Sequence, residues 1–349
     1  MVFGEVRPET LLKWIEEQGC VGKVDRKWAW WRDPDGSMGL SPVHGTRYLY
    51  RGQNRRYWSC RPSISRSIRT RARSLGDLDV DEQLKVLDAL IRSDWYCEII
   101  QRHPVFEWAK NKSYSIDRMA LAQHYELPTG YIDLTESIEV ALFFACCQFR
   151  NGKWEAKARG RGILYRLDWV EWHDQIGSRI KAIGLQPFPR PYAQWAWTVE
   201  MMLGEDFEDI PGVEAVTFEH SAEIGEGLLY MFDGGNELLP SDPIYDWACE
   251  VKKSRQLPRS NGLSVVHDIS QDPFGIQTND ADETLRQIED ANGISFTDAP
   301  EFSIDEESIA RLSADWEASK ATFMETMTTN TRVQLLRRRR DADSERGEA

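Results

Sequence analysis

The chain is poor in the residues that build metal and redox sites. Six cysteines and six histidines are spread over 349 residues. Cys20, Cys60, Cys97, Cys146, Cys147 and Cys249 form no Cys-x-x-Cys pair, and the histidines complete no zinc spacing, which excludes the zinc-ribbon and zinc-finger classes. Adjacent Cys146 and Cys147 lie in an apolar stretch and read as buried thiols of a reducing compartment. No run of about 18 apolar residues exists to cross a membrane. The first residues lack the basic, apolar and small-residue blocks of a signal peptide. A soluble, cytoplasmic protein with no membrane partner is therefore expected. Phosphate-loop and Rossmann glycine patterns are absent, as are Gly-x-Ser-x-Gly and Cys/His nucleophile motifs. Positive charge is in deficit: the net charge is −14. That balance argues against indiscriminate binding to nucleic acid or anionic lipid, although a local basic patch can override it.

What is present is an ordinary globular composition, 41% hydrophobic and 29% charged. Residues 1–45 read as a lead-in that packs on the core: an amphipathic segment (Leu11, Leu12, Trp14, Ile15), then Trp28, Trp30 and Trp31 before an Asp-Pro-Asp-Gly turn that suggests a hairpin or a closing loop. The β-branched and aromatic run Thr46–Tyr50 predicts a strand ending at Arg51-Gly52. Val80, Leu84, Leu87, Ile91, Trp95 and Ile99 repeat with helical period up to Pro104. A second helix is expected from Asp117, as its cap, to about Tyr125. A short strand or turn over 130–133 follows, then a third helix capped by Thr135 or Ser137 with Ile138, Ala141, Leu142, Ala145 and Phe149 on one face. Beyond a polar loop over 151–161, strands are expected at 162–169, near 193–202 and at 215–220. The stretch Leu238–Ala248 reads as a loop followed by a helix. The main domain spans 46–257. Residues 258–302, with Arg286 the only basic residue in 271–308, read as a mobile acidic segment. Ser303 and Glu306 fit a capping box that opens an amphipathic helix within 303–336. Its stripe of Ile309, Leu312, Trp316, Phe323 and Met327 either docks on the protein's own core or captures a protein partner. Residues 337–349 read as a disordered tail. The whole is a mixed α/β (α+β) fold, with central strands, flanking helices and a C-terminal helical extension.

Several polar residues sit in apolar settings, where burial is costly unless they are paired or used. Arg51 ends an apolar strand; its guanidinium can clamp a phosphate or carboxylate, or form a structural bridge to Asp133. Gly52 would let a ligand approach the backbone. His124 ends a helix, as a cap or a site residue. Asp133 and Thr135 precede a helix N-terminus, where they can cap it or help hold an anion. Arginines from 47 to 73 interleave with Tyr57 and Trp58, a pattern of single-strand nucleic-acid binders as well as of a solvated face.

These residues together resemble the FRG domain, over roughly Thr46 to Trp247. The resemblance is carried by Tyr50-Arg51-Gly52-Gln53, by Arg61, Pro62, Ser63 and Arg66, and by Leu121-Ala-Gln-His124-Tyr-Glu-Leu127-Pro128-Thr129. It continues through Asp133-Leu134-Thr135, the run Ala141 to Ala145, Arg190-Pro-Tyr-Ala-Gln194 and Leu239-Pro240-Ser-Asp-Pro243. Gly130, Leu134 and Ala196 depart from it, standing where arginine, tryptophan and glycine are usual. The order of elements is also similar to ADP-ribosyltransferases. That similarity implies a nucleotide pocket with NAD as substrate, no bound cofactor and no metal. Arg51, His124, Asp133, Thr135 and Gln194 would form its catalytic group, and Gly52, Gln53, Thr129 and Arg190 would bind ligand. Gln194 would fall near the catalytic glutamate, a role a neutral amide cannot fill, so that Glu200 or Glu219 would have to substitute. The implied role is an NAD-handling effector, of toxin or anti-phage type. The alternative is a non-catalytic module binding a nucleotide, nucleic acid or protein through the same pocket.

Overall fold

The computed structural model describes residues 14, 28–32, 38–42, 46–66, 68, 72, 74–112, 114–271, 275–276 and 280–329. Strands β1 (Trp28–Arg32) and β2 (Met38–Pro42) pair as an antiparallel hairpin. Of the amphipathic segment before them, only Trp14 lies within the described residues; it is buried, with the Arg166 guanidinium 4.4 Å from its ring. The tail expected over 337–349 lies outside the described residues.

The centre of the molecule is a six-stranded antiparallel sheet. Its members are β3 (Tyr48–Gln53), β4 (Tyr131–Thr135), β7 (Arg161–Asp168), β8 (Ile180–Lys181), β9 (Ala196–Glu200) and β10 (Val213–Glu219), in the order β10-β7-β3-β4-β9-β8. Alternation along the strands sends Leu49, Ile132, Leu134, Ile163, Tyr165, Trp197 and Val199 into a core on one face. The other face packs Tyr50, Leu164 and Val216 against a helix, Ile138–Cys146. Ser137 caps that helix, accepting from the Val140 amide at 3.2 Å. Between it and β7 stands a two-stranded hairpin, β5 (Cys147–Arg150) and β6 (Lys153–Ala156). It replaces part of the loop expected over 151–161. Asn151 and Gly152 have φ of 52° and 78°, the paired left-handed geometry of a type I′ turn.

The helices gather around α1 (Val80–Ile100), whose buried face includes Leu84, Leu87, Ile91, Trp95 and Ile99. Against this core pack α2 (Pro104–Asn111) and α3 (Arg118–His124); the Ile138–Cys146 helix is α4. Asp117 caps α3 by accepting from the Ala120 amide. Next come α5 (Pro189–Ala193), α6 (Ala222–Met231) and α7 (Pro243–Lys253).

The described residues of 258–302 are ordered secondary structure and not a mobile acidic segment. They form α8 (Arg259–Gln271), α9 (Ala281–Asn292) and a strand β12 (Ser295–Thr297) that pairs in parallel with β11 (Gln256–Pro258). Val265, Val266, Leu285 and Ile288 are buried in the same core as α1, so no domain boundary falls at 258. The terminal helix α10 (Glu306–Thr326) docks Ile309, Leu312, Trp316 and Phe323 of the expected stripe on the same core, with Trp316 buried and 5.3 Å from Trp108 on α2. Its cap is Asp305, which accepts from the Ser308 amide at 2.7 Å, rather than Ser303. Strand β13 (Met327–Thr329) then pairs with β1. No helix among the described residues is long and apolar enough to cross a membrane.

Candidate functional site

A cleft opens where the central sheet splits. Strand β3 pairs with β7 along its whole length, from Tyr48↔Asp168 to Gln53↔Ile163. With β4 it keeps a single pair, Tyr50↔Thr135, while β4 stays zipped to β9. Beyond Tyr50 the two strands part. The Arg51 guanidinium spans the gap, its Nη1 donating to the Asp133 carbonyl at 2.8 Å. A charged side chain thus satisfies a strand acceptor that the ladder leaves over. Arg51 therefore meets the main chain of Asp133, not its carboxylate.

Helix α4 forms the opposing wall and lies hard against β3. A Cβ on Gly52 would stand 1.7 Å from the Ala141 carbonyl oxygen. Gly52 thus lets the protein's own helix approach its backbone, while also lining the cleft.

The cleft has a volume of about 910 Å³ and contains Arg51, Gln53, His124, Asp133, Thr135 and Gln194 in its lining. Asp133 Oδ2 accepts from Gln123 Nε2 at 3.0 Å. The orientation of that amide is fixed by the hydroxyls of Thr129 and Ser63, which donate to its oxygen at 2.7 and 3.1 Å. Asp133 Oδ1 stands 3.2 Å from Nε2 of His124, whose side chain is 2% exposed. The contact is within ion-pair distance but off the line of a hydrogen bond, and neither atom has another partner. Arg51 Nε, Arg61 Nε and Gln53 Oε1 are likewise buried without a hydrogen-bond partner. Such atoms are rare in folded proteins, and here Arg51 Nε, Arg61 Nε, Gln53 Oε1, His124 Nε2 and Asp133 Oδ1 all belong to residues that line one cleft.

The charge balance inside is opposite to that of the chain. Arg51, Arg55, Arg61 and Arg66 face Asp133 and Glu126, and Glu126 is held by Lys252 at 2.9 Å. Burial and the neighbouring Arg51 charge pull the Arg66 guanidinium below its ordinary value, which still leaves it a cation at neutral pH. Burial pushes the Cys60 thiol up, against the pull of Arg51. Cys60, fully buried and outside the cleft lining, is thus a neutral thiol and not a nucleophile. Among the described residues no three His, Cys, Asp or Glu side chains are placed to hold a metal.

The remaining sequence candidates have structural duties. Thr135 Oγ1 donates to the Gln194 carbonyl at 2.7 Å and accepts from the Ser137 amide. Gln194 Nε2 donates to the Leu238 carbonyl at 3.1 Å. Both residues border the cleft while tying β4 and α4 to the later part of the chain. Thr129 is fully buried beneath Gln123. Arg190 is away from the cleft lining, buried with its guanidinium 3.5 Å from the Tyr245 ring and its Nε donating to the Pro240 carbonyl. Glu200 and Glu219 are exposed at strand ends and do not line the cleft. The carboxylates it does contain are Asp133 and Glu126.

Sequence reasoning passed over Arg61, Arg66 and Gln123 as site residues, although the resemblance had quoted them. It missed the β5–β6 hairpin, which brings Phe149 and Trp154 to the cleft. The signal was legible, since Asn-Gly between Phe149 and Trp154 is a strong hairpin marker.

No curated protein and no solved structure matches the chain. The family model for the FRG domain matches residues 46–153. That span supplies β3 and β4, the two strands that part, and every lining residue except Trp154, Gln194 and Leu239. Residues 46–153 of this protein are an FRG domain, which supplies most of the cleft lining.

Proposed function

We propose that the cleft between β3 and β4 binds a phosphate-bearing ligand of the nucleotide class, with NAD as the representative. The observation that carries this reading is the set of buried, unpartnered atoms on its walls. Arg51 Nε and Arg61 Nε are donors suited to phosphate oxygens, with Arg55 and Arg66 adding charge. Asp133 Oδ1 and Gln53 Oε1 are acceptors suited to sugar hydroxyls, and His124 Nε2 can serve in either sense. A nucleotide offers both complements within one molecule. Calorimetric titration of the folded protein with NAD and with pyrophosphate, beside an Arg51→Ala variant, tests it. Binding by the wild type that the variant loses supports the reading; absence of binding to a folded wild type sinks it.

The His124–Asp133 pair favours a second step, cleavage of bound NAD. Breaking the bond between the ribose C1′ and nicotinamide sends the electron pair to the leaving ring, and water or a target nucleophile takes its place on the sugar, releasing its proton to solvent. The positive charge that develops on the sugar needs an anion nearby. Asp133 is the carboxylate suited to that place, since Gln194 is neutral and Glu200 and Glu219 are outside the cleft. A role as a toxin or anti-phage effector would follow from that cleavage. Nicotinamide release abolished by Asp133→Asn, with ligand binding retained, is the expected signature. Binding without release leaves the protein a ligand-binding module.

A further inference from the structure

Folding does not account for the aromatic side chains at the mouth of the cleft. Trp58 is 106% exposed, Phe149 62% and Tyr57 44%. All three line the cleft, together with Trp154 and Phe144. Rings of this size normally contribute by being buried, so leaving them in water forgoes a large apolar area.

The two sides of the mouth rise from one anchor. Asn54 Nδ2 donates to the Cys147 carbonyl at 3.1 Å, at the root of the β5–β6 hairpin. The Asn54 carbonyl accepts from Lys157 Nζ at 2.7 Å, at the other root, and contacts His220 Nε2 at 3.0 Å. Tyr57 and Trp58 follow Asn54 on one side, and Phe149 follows Cys147 on the other. Tyr57 is steadied by the Arg55 guanidinium, 4.5 Å from its ring centroid, and Phe149 by Trp154, whose ring meets it edge-on at 5.6 Å.

We propose that this mouth is a base-stacking subsite, in which a planar base lies against Phe149, Tyr57 and Trp58 while its phosphate reaches Arg51 and Arg61. The inference rests on the phosphate reading above and adds a second element of recognition. The ligand carries an aromatic base within one sugar of its phosphate, and a bare sugar phosphate is a poor substitute. Aromatic stacking accepts any base, so it sets a preference for nucleotides as a class and not for one of them.

AMP and ribose 5-phosphate share phosphate and sugar and differ by the base, which isolates the subsite. Titrated into the full chain, AMP is expected to bind at least about tenfold more tightly. Trp58→Ala combined with Phe149→Ala should bring AMP down to the ribose 5-phosphate level, with affinity for ribose 5-phosphate changed less than about twofold. Both rings are largely in water, so the melting temperature should stay unchanged; should the double variant melt early, Trp58→Ala alone decides. Equal binding of the two ligands by the wild type overturns the subsite while leaving phosphate recognition standing, as does an AMP advantage that survives the substitutions. Failure of both ligands to bind removes phosphate recognition itself, and the subsite with it.

Discussion

Replacing Arg51 by lysine separates the two tasks that the structure gives this side chain. Arg51 donates from Nη1 to the Asp133 carbonyl at 2.8 Å, and its Nε–H remains buried without a partner. One planar group can therefore hold the strand split and address a ligand together. A lysine ammonium on a flexible stem can satisfy the carbonyl but cannot present a second donor at a fixed angle to it. A hydrogen bond from a charged donor contributes about 1.5–3 kcal/mol, and stranding the carbonyl costs about 1–3 kcal/mol. Arg51→Ala should therefore lose about 1–3 kcal/mol of stability, whereas Arg51→Lys should lose less than about 1 kcal/mol. For binding, loss of the fixed second donor should weaken pyrophosphate by about 10–100-fold, equivalent to roughly 1.4–2.8 kcal/mol, even though the charge is conserved. Urea unfolding read by linear extrapolation gives the first quantity and calorimetric titration the second. A lysine variant that binds pyrophosphate within threefold of the wild type would refute the geometric role and leave only a charge effect. An alanine variant that still binds would remove Arg51 from the site altogether.

Three further outcomes follow from the same geometry. Gly52→Ala drives a Cβ to 1.7 Å from the Ala141 carbonyl and 2.9 Å from the Ala145 amide, and should cost about 3 kcal/mol or more in a thermal or urea melt by pushing α4 from the sheet. Gln194→Glu sets a buried carboxylate against the Leu238 carbonyl in place of the amide donor; it should destabilise by about 1–3 kcal/mol and leave nicotinamide release no higher than in the wild type, and an increase in release would contradict the placement of Gln194. Burial lowers His103 from its ordinary 6.5 to about 4, while its Nδ1 accepts from the Val105 amide to cap α2. The unfolded chain binds that proton more readily, so the stabilisation is complete above about pH 6.5 and is lost as pH falls toward 4, by at most about 3 kcal/mol. His103→Asn keeps an N-cap and should flatten the loss between pH 6.5 and 5; an unchanged slope would count against His103 as its source.

The parts of this fold legible in the sequence are those fixed by neighbours along the chain. Asp117 caps α3 and the Val80 to Ile99 repeat becomes the buried face of α1, because both signals act within a few residues. The choice between Thr135 and Ser137 as the α4 cap was open in the sequence. The structure gives the cap to Ser137, whose Oγ accepts from the Val140 amide, while Thr135 Oγ1 donates to the Gln194 carbonyl 59 residues away and accepts from the Ser137 amide. The acidic segment misled for a different reason. Gly262, Val265 and Val266, and likewise Thr284, Leu285 and Ile288, are buried at helical spacing, but the density of surrounding carboxylates hides that period. In the site, residue type located Arg51, His124 and Asp133, and could not say that Arg190 would turn away to Tyr245. The parting of β3 from β4 leaves no local trace at all. It depends on α4 lying against a glycine, on β7 holding β3 and on β9 holding β4.

That division bears on what the Tyr-Arg-Gly strand does. Tyr50 makes the last pair with β4, Arg51 bridges the gap that follows, and Gly52 lets α4 close one wall. Each step is structural when taken alone, and a purely structural strand would be satisfied by them. Two atoms exceed that requirement: Arg51 Nε and Gln53 Oε1 are buried and unpartnered on the cleft side. A fold that needed only the bridge could use a residue with a single donor at 51 and an apolar residue at 53, at no loss of packing. Gln53→Met tests this directly, since methionine matches its length and removes only the polar end. The weak contact from Gln53 Nε2 to Cys60 Sγ, at 3.6 Å, is all that it sacrifices within the fold. Stability should hold within about 0.5 kcal/mol or rise slightly while AMP affinity falls several-fold. A loss of stability with affinity intact would place Gln53 in the scaffold and narrow the ligand's contacts to the arginines, His124 and Asp133.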